Sequence, residues 1–597
     1  MDNYFVSSCK RVKDWICRQF GQKEKKTVHH KKFADGGEVI VWETGRAGEE
    51  AASYENLFLR KEIAGFRTNI RREQSCSIKS LTRDYLYKQL LSSGEYTFDH
   101  MLVIKDPYGE APLTALALFI LEEPACVRVT TKGNLKETDF VTELPKKKEH
   151  RVPILGMYAE KANDIVIEIL DDEGNCVKSH TFTIRTKRLP KSLRNVITVK
   201  KWTDKPAYSN IMINGGVKIH TCVFDIEGKI RYYLSRKPRG YGIFPLSDGH
   251  FFYMEKYISV PSYSNPQTVE SYDMDYFGRV FRTYLTEKGV HHTAEEKAGG
   301  NILTGSNSML EHTEDCVIEI DRQTGEIVWQ LNMAEIFDET YQNMMDWCHV
   351  NSAAYYEKDR TILISLRNVH AVICVDYDTK KLRWILSDPK FWEGTKMTPY
   401  LLQPEGDVKW CYQQHAAFEI ALPDESNPQK KRIIVYDNHW AKRRKAKSFD
   451  KDPLSYVSFY DIDEEKKTVS LHKRFAGPKT RIRANGIYVP DKKRVYNMAG
   501  SYAEPVDGDG GGIFEYDYET GEVLSEFGVK PGFFRAYPFE PNVQELAEPM
   551  QVTGDYQVGQ IKQPQEISSS KYCKLKSEKK HHIKSAAIEY EMQEDLL

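Results

Sequence analysis

Apolar and polar positions alternate along much of this chain. Between residues 96 and 195, runs such as ACVRVTTKG (125–133), NDIVIEILDDEGN (163–175) and KSHTFTIRTK (178–187) place apolar residues at every second position, with turn residues between the runs. A period of two puts one face of each segment on a core and the other in water, which predicts antiparallel strands. A β-sandwich is therefore predicted for residues 96–195, with LPKSL (189–193) as a linker. The segment SLTRDYLYKQLLSS, Ser80 to Ser93, has helical spacing, so residues 1–95 are predicted as a partly helical extension.

Beyond residue 195 a longer period appears. A strand–turn–strand unit reads DIEGKIRYYL at Asp225, DYFGRVFRTYL at Asp275, DRQTGEIVWQL at Asp321 and DYDTKKLRWIL at Asp376. It recurs as DIDEEKKTVSL at Asp461 and DYETGEVLSEF at Asp517. A repeat of roughly 50 residues with several short strands is the signature of propeller blades. The predicted fold is all-β: a six-bladed β-propeller over residues 196–550 with an N-terminal β-sandwich domain. Residues 551–597 are polar and lysine-rich and are predicted as a C-terminal tail or helix.

Composition narrows the function without naming it. The formal net charge of −1 gives no global pull toward nucleic acid or an anionic membrane. No apolar run is long enough to span a bilayer. The first residues, MDNYFVSSCKRVKDWICRQFGQ, lack the apolar stretch of a secretory signal, so a cytoplasmic location is expected. The 11 cysteines are scattered and form no C-x-x-C pair, which fits free thiols better than a disulfide framework or a zinc site.

Aligning the blades brings chemistry into view. The hairpins that open successive late blades begin at His291-His292, His349, His415 and Thr480, and end at Asn307, Arg367, Asn438 and Ser501. Equivalent positions in a propeller crowd around one mouth of the central channel, so these side chains are expected to converge. Tyr412 and Trp347 either line a pocket there or pack in the core. Three histidines and an arginine suit two chemistries. One is a transition-metal site, which an arginine in the same ring disfavours, with Asp346 as the only acid close by in sequence. The other is a tetrahedral sulfuryl or phosphoryl group held by a guanidinium fork and imidazoles.

The stretches DWCHVNS (346–352), SLRN around Arg367, YQQHAAF (412–418), HHTAEEKAGGNIL (291–303) and DPYGEAPLTALALF (106–119) resemble the bacterial arylsulfate sulfotransferases. The resemblance runs from about residue 95 to 540. It implies a six-bladed propeller with an N-terminal β-sandwich, and direct sulfuryl transfer from a phenolic sulfate ester to a phenol. It further implies a ping-pong course through a sulfohistidine, with no nucleotide sulfate donor and no cofactor. On that footing His415 is the expected nucleophile, Arg367 the ligand of the sulfuryl oxygens, and His349 or His292 the acid–base partner. Asn351, Thr480, His291 and Asn438 are expected to bind substrate, and no metal is expected. Exported relatives can hold a disulfide near the nucleophile. Here Cys411 stands four residues before His415 with no second cysteine following nearby, so none is expected. The expected partners are small-molecule aryl sulfates and phenols, with a homodimer as the assembly to test. Two rival classes share the repeat: a quinone-cofactor dehydrogenase propeller, which would need more blades and a metal, and a non-enzymatic interaction platform. The platform reading requires the polar set to lie apart, beyond roughly 10 Å.

Overall fold

The structure, a computed structural model, describes residues 28–33, 37–47, 76–203, 205–216, 219–236, 241–258, 267–308, 312–342, 345–422, 426–440, 452–550 and 561–562. The readings of the extreme N-terminus and of nearly all of the C-terminal tail lie outside these residues. The architecture is the predicted one, an N-terminal Ig-like β-domain followed by a six-bladed β-propeller.

Each blade is a four-stranded antiparallel sheet in chain order, except where the ring closes. Blade four is the plainest, with strands Val350–Tyr356, Thr361–Leu366, Ala371–Asp376 and Leu382–Leu386. The long strand Val280–Glu296 serves both as the outer strand of blade two and as the inner strand of blade three. Closure uses both ends of the propeller segment. Arg535–Pro538 pairs with Asn210–Asn214 to become the inner strand of blade one, and Ile197–Lys201 adds to Val523–Val529 outside blade six.

The repeated aspartate has a local physical cause. It sits at the turn between the third and fourth strands, where its Oδ1 accepts main-chain N–H groups that the ladder leaves over. Asp225 accepts from Glu227 and Lys229, Asp275 from Phe277 and Arg279, and Asp321 from Gln323 and Thr324. Asp376 and Asp517 do the same for Thr379 and for Glu519 and Thr520. Blade five departs from this. Asp461 is held by Arg432 at 2.5 Å, and Asp463 accepts from Lys466 instead.

In the N-terminal domain the 17-residue strand Ala115–Thr131 pairs with three neighbours in a single hydrogen-bonded sheet, and its buried residues share one core with those of blades one and six. Strands Val28–Lys32 and Glu38–Trp42 extend that sheet from before residue 96, and the predicted helix runs Cys76–Ser92. A buried charge cluster joins this domain to blade two. Asp84 on the helix takes Arg151 of the β-domain at 2.6 Å and the Tyr108 hydroxyl at 2.7 Å, and Arg279 of the propeller lies 3.7 Å away. Removing one partner of such a buried set costs about 3–5 kcal/mol, so the two domains are held in a fixed relation. Among the described residues no helix is long and apolar enough to cross a membrane.

Candidate active site

The starts of the inner strands bring several of the residues of interest to one end of the ring. Phe534 precedes the inner strand of blade one, Tyr241 that of blade two, His349 that of blade four and Ala484 that of blade six. His415 opens the inner strand of blade five, and His292 lies within that of blade three. The pairing register slips between His291 and Ala294, between Val350 and Ser352, and between His415 and Phe418. Such β-bulges turn a side chain off the sheet face. They come with left-handed backbone at His292, His349 and Ala416 (φ 59°, 55° and 50°), a conformation residues other than glycine adopt rarely and often at functional sites.

His415 is 4% exposed. Its Nδ1 lies 2.6 Å from Asn438 Oδ1. The orientation of that amide follows from its other bonds: Asn438 Nδ2 donates to Thr480 Oγ1 at 2.8 Å and to the Arg483 carbonyl at 3.2 Å. Oδ1 therefore accepts, and His415 Nδ1 carries the proton. The lone pair is left on Nε2, which accepts a main-chain N–H from Arg483 at 3.4 Å. Burial, with the charges of Arg367 and His349, holds the pKa of His415 well below the usual imidazole value, so this ring is neutral.

His349 has the opposite surroundings. Its Nδ1 stands 2.7 Å from Glu314 Oε2 and 2.9 Å from Asp346 Oδ2. Burial works against its charge, but the two carboxylates outweigh it and lift the pKa to about 9. Glu314 is fully buried with φ 57°, and the neighbouring imidazoles overcome its own burial to keep it ionised. The Tyr241 hydroxyl donates to Glu314 Oε1 at 3.2 Å.

The paired histidines form a directed chain. The Ser306 carbonyl can only accept, so His291 donates from Nε2 at 2.8 Å. His291 Nδ1 then accepts from His292 Nδ1 at 3.2 Å, which leaves the lone pair of His292 on Nε2. Burial keeps both rings neutral against the pull of Glu314. The His292 ring lies 4.7 Å from that of His349 and 4.4 Å from that of Tyr241. Gly305 makes room for this arrangement, since a Cβ there would come within 2.5 Å of His291 Cε1.

Arg367 completes the near side. Its main-chain N–H donates to the His349 carbonyl at 3.1 Å, the cross-hairpin pairing expected from their spacing. Its guanidinium reaches Gln413 Oε1 at 3.1 Å, just before the strand that His415 opens. Asn351 donates to the Gln414 carbonyl at 2.7 Å, and its Oδ1 has no hydrogen-bond partner among the described residues. Thr480 is fully buried behind Asn438, bonded also to Ser455. Thr480 and Asn438 thus brace His415 from behind.

Of the expected polar set, His292 and His349 stand ring to ring at 4.7 Å, His415 is joined to Asn438 and Thr480, and Arg367 reaches Gln413 two residues before His415. One expectation is corrected: Asp346 is not the only nearby acid. Glu314 stands just before the third strand of blade three, at a place blade alignment of histidines does not flag. Donor atoms of His291, His292 and Glu314 lie within 4.8 Å of one another, as do those of Glu314, Asp346 and His349. Each Nδ1 in these groups lies within hydrogen-bonding reach of a neighbour. Trp347 is fully buried against Phe337 and belongs to the core. Tyr412 is buried too, its hydroxyl 2.8 Å from Asp388. The aromatic groups on the histidines are instead Tyr241 and Phe534, 5.2 Å apart. Cys411 is a free, buried thiol.

Comparison with known proteins finds family matches over both domains. The arylsulfotransferase (ASST) family matches residues 195–535, and the arylsulfotransferase Ig-like domain matches residues 102–187. The arylsulfate sulfotransferase AssT of Lelliottia amnigena is 22% identical over 563 residues, covering 72% of this chain and 90% of the relative. The protein of the same name from Escherichia coli O6:H1 strain CFT073 is 23% identical over 566 residues, with the same coverage of each chain.

Proposed function

From a chain that belongs to the arylsulfotransferase family and is a sulfotransferase acting on aryl sulfates, we infer a ping-pong mechanism in which His415 Nε2 carries the sulfuryl group from a phenolic sulfate to a phenol. The observation that carries the reading is the His415–Asn438 hydrogen bond, because it fixes the tautomer and leaves the attacking lone pair on the channel side.

In the first half-reaction His415 Nε2 attacks sulfur, the S–N bond forms and the S–O bond to the aryl group breaks. The electron pair leaves on the phenolate oxygen, which takes the proton of His349. The sulfohistidine keeps its Nδ1 proton on Asn438. In the second half, an acceptor phenol gives its proton to the now neutral His349, its oxygen attacks sulfur and the S–N pair returns to Nε2. Arg367 is aimed at the sulfuryl oxygens throughout, where charge accumulates in a loose transition state. His349 takes the acid role over His292 because Glu314 and Asp346 keep it protonated, whereas His292 is neutral and its one proton is committed to His291.

The test is incubation with p-nitrophenyl sulfate alone, with no nucleotide. One equivalent of nitrophenol is expected, with one sulfuryl mass on the peptide containing His415. A wild-type protein that turns over the donor and acceptor but never acquires that mass would sink the covalent reading.

The pH profile follows from the two imidazoles. The donor half-reaction needs His349 protonated, so kcat/KM for the donor should fall as pH rises through about 9. It needs His415 unprotonated, and the acid limb should lie well below 6.5. Glu314→Gln removes one anion facing Nδ1 and should move the alkaline limb downward while the acid limb stays low. An unmoved alkaline limb would detach His349 from that limb.

A further inference from the structure

Arg483 is the least satisfied strong donor near the nucleophile. Its guanidinium has no hydrogen bond or ion pair with any described residue, and the only titratable group acting on it is the Tyr241 phenol. Most other arginines close to the channel have partners: Arg481 has Glu504 at 3.2 Å, and Arg535 donates to the Asn351 carbonyl at 2.8 Å. Arg483 is partly buried, and burial lowers its pKa. A half-buried cation with no anion beside it is poised to take one, which points to an anion supplied by the substrate.

The main chain points the same way. Arg483 N–H donates to His415 Nε2 at 3.4 Å, so it meets the very lone pair that attacks sulfur. Arg483 and Ala484 both have positive φ, 66° and 106°, and the Arg483 carbonyl is pinned by Asn438. This is strained backbone held in place by the residue that also orients the nucleophile. Once Nε2 bonds to sulfur it no longer accepts, and the N–H is left beside the new sulfuryl oxygens. Arg483 comes from blade six and Arg367 from blade four, so the two flank the blade-five nucleophile from its neighbours on either side.

We propose that Arg483 is a second sulfuryl-binding residue, its main-chain N–H and its guanidinium both taking oxygens of the transferring group while Arg367 takes the others. The proposal rests on His415 as the nucleophile. It assigns to each half-reaction a fixed cradle of donors, which stabilises charge on the equatorial oxygens without reorganisation.

The experiment is the single-turnover burst of nitrophenolate from p-nitrophenyl sulfate, whose ring carries no other anion. In Arg483→Gln the burst rate is expected to fall about 10²-fold, and release of the group to phenol by a similar factor. Arg483→Lys keeps a charge but not the fork, and a fall of about tenfold is expected. This second variant carries the test if the first does not fold, as judged by its thermal melt. A burst within about threefold of wild type in a folded variant would overturn the proposal. So would a loss confined to donors with an anionic ring substituent, which would place Arg483 on the ring instead. Failure of the underlying reading is separately visible, because the wild-type protein would then show no sulfuryl mass at His415.

Discussion

Replacing His415 with alanine is expected to lower turnover of any aryl sulfate by about 10³-fold or more and to abolish the donor-only burst. Neither neighbouring histidine replaces it in kind. His349 is charged and has no lone pair to offer, and His292, whose lone pair lies on Nε2, stands on blade three, two blades from the position of His415. What remains in the variant is a set of donors around the sulfuryl group, able to assist direct transfer only weakly. The loss should appear in kcat rather than in donor affinity, since Arg367 and the mouth of the channel are untouched. The fold should survive: the deletion frees Asn438 Oδ1, a penalty of about 1–3 kcal/mol, while the strand His415–Ile420 keeps its pairing with Lys430–Asp437. Full activity in this variant would remove His415 from the mechanism. Normal double-reciprocal plots that intersect rather than run parallel in the wild-type protein would argue the same way.

The second large effect concerns the leaving group. His349→Gln removes the proton donor, and a donor with a basic leaving group, such as phenyl sulfate, should lose about 10²–10⁴-fold. p-Nitrophenyl sulfate, whose phenolate leaves easily, should lose far less. The dependence of rate on leaving-group pKa should therefore steepen in the variant. A merely structural role for His349 would slow all donors alike and leave that slope unchanged. The substitution also removes the cation between Glu314 and Asp346, two buried carboxylates that share its Nδ1. Some stability loss is expected from their repulsion, and the melting temperature should be measured beside the rates.

The features legible in the sequence are those whose cause is local. The aspartate turn is one, because its hydrogen bonds close within four residues, and the six sequence units, five of which form it at the repeated aspartate, disclosed the ring. The histidines at blade openings were legible through that register, since rotational symmetry turns equal positions into neighbours. Glu314 was not legible, because it reaches the site from the connection between the second and third strands of blade three, which an alignment of hairpin-opening histidines does not sample. Tyr241 and Phe534 escaped for another reason. Their blades use an inner strand that comes just after a segment with weak patterning, or from the opposite end of the domain. Trp347 shows the converse: an aromatic two residues before a site histidine packs on Phe337 in the core, because both stand in the bend ahead of strand Val350–Tyr356, where strand periodicity does not apply.

The closing strand gives the site a dependence on history. Arg535–Pro538 is the last propeller strand to be synthesised, yet it occupies the inner position of blade one. From there Arg535 crosses to the Asn351 carbonyl of blade four, and Phe534 packs on Tyr241 and His292. Until that strand docks, the histidines sit on an open arc and the aromatic packing of Phe534 on Tyr241 and His292 is missing. A growing or truncated chain therefore cannot transfer sulfate by degrees. Catalysis switches on once, when the circle shuts, and enzymatic turnover is itself a report that the whole ring has been completed.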